Sequence, residues 1–163
     1  MGLNLTQHII VEENVLTYPR VRTMKLVILS IRPKFAEAIL SGKKRCEFRK
    51  GNFPKDVDIV VIYSTKDVGK IVGWFRVKET RTGKPQDLWR RHERGGGIGK
   101  DEFDGYYSGS RSGVCLKIQS AHRLYPPIDP FKEFKGFIAP QSFRYFTDEE
   151  LGFFSKVIEQ VSE

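Results

Sequence analysis

The period of the apolar pattern changes from block to block along the 163-residue chain. Leu26 to Ile31 is almost wholly apolar and short, which predicts a buried strand. Phe35, Ala36, Ile39 and Leu40 then fall at i, i+1, i+4 and i+5, one face of a helix. Pro33 suits the first turn of that helix and Gly42 its end. In "RCEFR" the period drops to two. Cys46 and Phe48 point one way, and Arg45, Glu47 and Arg49 the other. Residues 57–64 and 70–79 read as two more strands, the first a fully apolar central one. Gln86 to His92 reads as a short basic helix and "RGGGIGK" as a flexible loop. Residues 101–108 read as a helix anchored by Phe103, Tyr106 and Tyr107. Val114, Leu116 and Ile118 alternate with Cys115, Lys117 and Gln119, the mark of a half-buried strand. His122 to Tyr125 extends or follows it before the breaker "PPIDP". Thr147 and Glu150 form a capping box for a last helix. Leu151, Phe154, Val157, Ile158 and Val161 hold its apolar face.

Many short strands with a few helices in a chain of this size predict an α+β protein. The expected form is a small closed or nearly closed β-barrel with short flanking helices and a C-terminal helix. Its expected core is Phe35, Ile39, Phe48, Val60, Ile62 and Leu116. Met24, a second candidate start, opens directly onto the first clear strand. Residues 1–23 are therefore read as an N-terminal extension and 24–163 as one domain.

Composition narrows the class. Apolar residues make up 39% and charged residues 29%, the balance of a globular chain. No apolar run approaches the roughly 18 residues a membrane span needs, and no membrane partner is expected. The N-terminus lacks a basic start followed by an apolar block, so the cytoplasm is the expected location. Cys46 and Cys115 are read as buried free thiols, not as a disulfide. No Cys or His spacing matches a zinc motif, and neither a metal nor a cofactor is expected. The net charge is +8. Residues 147–163 carry a balance of −4 and residues 1–23 are balanced, so residues 24–146 hold about +12. That excess points to a polyanionic partner. The oligomeric state stays open.

The stretch "ILSGKKRCEFRK" concentrates the candidate chemistry. Lys43 and Lys44 sit on a turn above a strand face that sets Glu47 between Arg45 and Arg49. A cationic turn can hold phosphate, and Glu47 can accept a hydrogen bond from a base amino group. The bland alternative is a solvated charged face. Tyr63, Ser64 and Thr65 form a second candidate wall at a strand end. Arg90 and Arg91 belong to a longer basic tract from Arg76 to Lys100. Trp89 within it reads as a core anchor more than as a base-stacking platform.

These residues carry a resemblance. "LSIRPKFAEAILSGKKRCEFRK" resembles the opening of an ASCH domain, a branch of the PUA-like β-barrel superfamily. Gly42, Lys44 and Arg49 occupy the places of that family's Gly, Lys and Arg at the helix-to-strand turn. The similarity runs from about Met24 to the end, and the later strands and "PQSFRYFTDEEL" resemble archaeal and bacterial members described as predicted regulators. The resemblance implies a barrel with a cleft beside the turn and an RNA or nucleotide ligand, in a regulatory role or reading a modified base. Lys43, Lys44, Glu47, Arg49, Ser64, Thr65, Arg90 and Arg91 are the expected ligand-binding residues. The second reading is a hydrolase acting on RNA or on a modified nucleoside, with Lys44 and Glu47 as its machinery. Relatives that deacetylate N4-acetylcytidine resemble this chain at Lys44, but Glu47 stands where they place a nucleophilic Thr.

Overall fold

The computed structural model of the chain describes residues 8–13 and 20–161. In chain order the elements are β1 (His8–Glu13), β2 (Arg20–Ile31), α1 (Pro33–Leu40), β3 (Cys46–Lys50), β4 (Ile59–Ser64), β5 (Lys70–Gly83) and α2 (Pro85–His92). A 3-10 turn (Glu93–Gly95) follows, then α3 (Lys100–Tyr107), β6 (Gly113–Ile128), α4 (Pro130–Glu133), β7 (Phe143–Arg144) and α5 (Asp148–Val161). The strands join in the order β1-β2-β4-β5-β6-β3, and β7 pairs with β2 on the edge opposite β4. The β2–β4 ladder is parallel and every other ladder antiparallel. The sheet curls into a half-barrel, giving the α+β, barrel-like class that the pattern predicts.

Parallel strands buried on both faces read as continuous apolar runs. That is why Leu26–Leu29 and Ile59–Ile62 show no alternation: each of these residues is fully buried. Met24, Leu26, Ile28, Ile59, Val61 and Tyr63 face the outer layer, where Phe146, Leu151, Phe154 and Ile158 cover them. Val27, Leu29, Ile31, Val60, Ile62, Phe75 and Leu116 face the barrel interior, closed by Ala36 and Ile39 of α1. A third cluster under α2 and α3 gathers Cys46, Phe48, Leu88, Phe103, Tyr107 and Cys115. Fully burying each large apolar side chain contributes about 1.5–3 kcal/mol.

Several expectations need correction. The cysteines are not free thiols: Cys46 and Cys115 are joined as a disulfide. Strands β3 and β6 are neighbours, with Cys46 opposite Lys117 and Phe48 opposite Cys115. The two cysteines are thus diagonal across one pair of strands, Cα atoms 6.0 Å apart, within disulfide reach. A sequence separation of 69 residues hid that proximity. Phe35, expected in the core, is half-buried, and Val161 at the end of α5 is 50% exposed. "PPIDP" does not stop the preceding strand before Pro126, because β6 runs on to Ile128 through a shifted register with β5. The strand read from Leu26 is β2, which begins earlier, at Arg20, where it pairs with β1. Of the segment read as an extension, residues 1–7 and 14–19 lie outside the described residues. Among the described residues, no helix is long and apolar enough to cross a membrane.

Candidate functional site

Strand β3 ends the sheet on one side, while β2 with β7 stands near its free edge. Among the described residues no ladder joins β3 to either strand. The side chain of Arg49 spans this seam. Its Nη2 donates to Ser142 Oγ at 3.1 Å and to the Ser142 carbonyl at 3.3 Å. A cleft of about 270 Å³ opens along the seam.

Local sequence sets its floor. Helix α1 starts at Pro33, whose fixed φ suits the first turn. It stops where Gly42 takes φ +81°, a conformation that favours glycine. The reversal returns the Lys44 N–H to the Ala38 carbonyl at 2.9 Å and turns the Lys44 side chain inward. Lys44 is only 2% exposed. Its Nζ donates to the Gly96 carbonyl and lies 3.6 Å from Glu47 Oε2, with the Phe35 and Phe48 rings each 5.3 Å away. Burial pushes the Lys44 ammonium below its ordinary pKa, and the carboxylate of Glu47 opposes that push. Glu47 is buried as well, so the polar face of "RCEFR" is a pocket wall at this point and not a solvated surface. Arg49 Nη1 reaches Glu47 Oε1 at 3.3 Å, completing a chain of cation, anion and cation. Arg49 Nε is buried without a hydrogen-bond partner.

The loop read as flexible packs against this group. A Cβ on Gly97 would lie 2.7 Å from Lys44 Cβ, and one on Gly96 would lie 2.8 Å from Phe48 Cε2. Two consecutive glycines therefore let the backbone approach close enough to place the Gly96 carbonyl on Lys44. The other walls are Ser30 and Arg32 around the end of β2, Phe35 on α1, Tyr106 on α3, and Ile98 and Gln141 on loops. Burial raises the Tyr106 hydroxyl above its usual pKa. At the rim Glu102 holds Arg32 at 2.8 Å and Lys34 at 2.9 Å.

Of the expected ligand-binding residues, Lys44, Glu47, Arg49 and Thr65 line this one cleft. Ser64 instead lines a second cavity with Glu37 and Arg123, and Lys43 is exposed outside the cleft. Arg90 and Arg91 are exposed on α2, and Arg90 pairs there with Asp87. Trp89 is half-buried, its ring 5.0 Å from Phe103, an anchor for α2. Sequence reasoning missed Ser30, Arg32, Ile98 and Gln141, took Phe35 for core and took Tyr106 for a helix anchor. No spacing pattern joins these six; only the seam does.

The ASCH domain family matches residues 29–126, more than half of the chain. An "ASCH domain-containing ribonuclease" of Zymomonas mobilis is 29% identical over 129 residues, covering 77% of this chain and 87% of that one. The crystal structure of an ASCH protein from Zymomonas mobilis superposes with a TM-score of 0.72 at 28% identity, covering 82% of this chain and 94% of that one. Large ribosomal subunit protein uL22 of Ureaplasma parvum is 27% identical over 124 residues, 76% of this chain but only 40% of that protein. With residues 29–126 matched, this chain belongs to the ASCH domain family.

Proposed function

We propose that the seam cleft binds one unpaired nucleotide of an RNA strand. The observation that carries this reading is the convergence of Lys44, Glu47 and Arg49 on one small, largely buried cavity. At about 270 Å³ it is near the lower end of small-ligand clefts, which suits one nucleotide and not a duplex. The Arg49 guanidinium in the cleft wall attracts a phosphate, and Arg32 at the rim adds a second cation. Glu47 accepts from a base amino group, and the Phe35 and Phe48 rings supply apolar walls.

Cleavage of the bound strand is the second reading. It is favoured by the buried Lys44–Glu47 pair and by the ribonuclease name of the Zymomonas relative. In that reading Glu47 removes the proton of a ribose 2′-hydroxyl. The 2′-oxygen bonds to phosphorus as the bond to the 5′-oxygen breaks, leaving a 2′,3′-cyclic phosphate and, once protonated, a 5′-hydroxyl. Arg49 stabilises the negative charge on the non-bridging phosphoryl oxygens.

One experiment addresses both. A short single-stranded RNA, its duplex and N4-acetylcytidine are incubated with the protein. Retention on filters is measured at two ionic strengths and products by mass. The single strand is expected to bind most tightly, with affinity falling steeply as salt rises. A cyclic-phosphate product establishes the second reading. Affinity that ignores salt, or none at low salt, overturns both, and deacetylation of N4-acetylcytidine points to a nucleoside hydrolase instead.

A further inference from the structure

Behind the cleft, under α2, three groups that bind soft metals meet. Cys46 comes from β3, Cys115 from β6, and His92 from the last turn of α2. Their ligand atoms all lie within 4.8 Å of one another, and all three residues are buried. A disulfide alone gives the imidazole no role. Nε2 of His92 is buried with no hydrogen-bond partner, a state that costs a polar group roughly 1–3 kcal/mol. We propose that the reduced Cys46–Cys115 pair and His92 form a Cys2His site for one thiophilic divalent cation of the zinc class.

The geometry suits such an ion. Two thiolates on tetrahedral zinc, each about 2.3 Å from the metal, have sulfurs about 3.7 Å apart. A 6.0 Å separation of the cysteine Cα atoms is compatible with that distance. Three protein ligands leave a fourth position for water. Arg81, Lys117 and Arg91 stand near His92, with Glu79 pairing Arg81 and Lys117, and the net positive surround favours thiolates over thiols. A divalent ion on two thiolates is neutral, so the same surround does not repel the filled site.

The site opens by reduction. Two molecules of a small thiol convert the disulfide to two cysteine thiols and leave as one small-molecule disulfide. The cation then binds both sulfurs and His92 and expels two protons. Filling the site also touches the cleft, because the chain runs directly from His92 into the loop that seats Lys44. The Gly95 carbonyl accepts from the Arg45 N–H at 2.7 Å, and the Gly96 carbonyl accepts from Lys44 Nζ.

The test is a titration of the full chain with Co²⁺, a spectroscopic stand-in for Zn²⁺, after reduction and removal of the reductant under argon. One equivalent is expected to bind, with a thiolate-to-cobalt charge-transfer band and the visible bands of tetrahedral cobalt. Wild type kept oxidised is expected to show neither. His92→Ala, checked for fold by circular dichroism, is expected to bind at least tenfold more weakly, since loss even of a residue that only hydrogen-bonds a metal ligand costs 10–100-fold. His92→Cys is expected to keep the tetrahedral bands with a stronger charge-transfer band. Reduced, folded wild type that takes up no cobalt overturns the proposal, as does His92→Ala that binds as tightly as wild type.

Discussion

Lys44 shows how a charge is held inside this protein. An ammonium removed from water costs several kcal/mol unless it is paired and hydrogen-bonded. Here one carbonyl, one carboxylate and two aromatic faces surround it. The Lys44–Glu47–Arg49 group was legible because a Gly turn followed by period-two alternation puts all three near one strand face. The depth of its burial was not legible, since that depends on the Gly96–Gly97 backbone more than 50 residues away in sequence. Glu47→Gln isolates the role of the charge. Gln keeps an acceptor and Lys44 keeps the Gly96 carbonyl. The expected loss in urea denaturation is therefore about 1–3 kcal/mol, below the 3–5 typical of an orphaned buried charge. RNA affinity should hold or rise as a negative charge leaves, while discrimination among homopolymers weakens. If the RNA is cut, turnover should fall by roughly 10²–10⁴. Unchanged discrimination together with unchanged turnover would remove Glu47 from the site.

Helix α5 is the element whose boundary the sequence marked best. The Glu150 N–H donates to Thr147 Oγ1 at 3.3 Å and the Thr147 N–H to Glu150 Oε2 at 3.2 Å, the reciprocal bonds of a capping box. The structure adds a partner that no local pattern announces: Arg144 donates to both oxygens of the buried Glu150, at 2.8 and 2.9 Å. Strand β7, which carries Arg144, is two residues long, and α4 has four, too short for any periodicity to register. Strand β6 was under-read for another reason. Its far half pairs with β5 but is only partly buried, so alternation fades there. Two substitutions measure what α5 contributes. Thr147→Ala should cost about 1 kcal/mol, the usual worth of a cap. Phe154→Ala should cost about 3–5 kcal/mol, because its fully buried ring packs against Phe134, Phe146 and Phe153. A Phe154→Ala loss below about 1 kcal/mol in urea midpoints would mean that α5 is not part of the outer core.

At the scale of the whole molecule, the cleft lies along a seam in the barrel wall. A polymer reaches it from the side, and no free end has to thread a tunnel. A circularised single strand should therefore bind within about twofold of its linear form in competition assays. Strong preference for the linear strand would show that an end is what the cleft recognises. Chain order adds a consequence for folding. The central β2–β4 ladder is parallel, and a parallel ladder needs a long crossover. That crossover is residues 32–58, which include α1, the Gly42 turn and all of β3. Lys44, Glu47 and Arg49 thus ride on the loop that pairing of the two central strands closes. Non-local pairing of this kind is the slow step in small domains. Among the described residues β3 pairs only with the later strand β6, so closing the central ladder brackets this excursion and leaves its three residues to be seated when β6 docks.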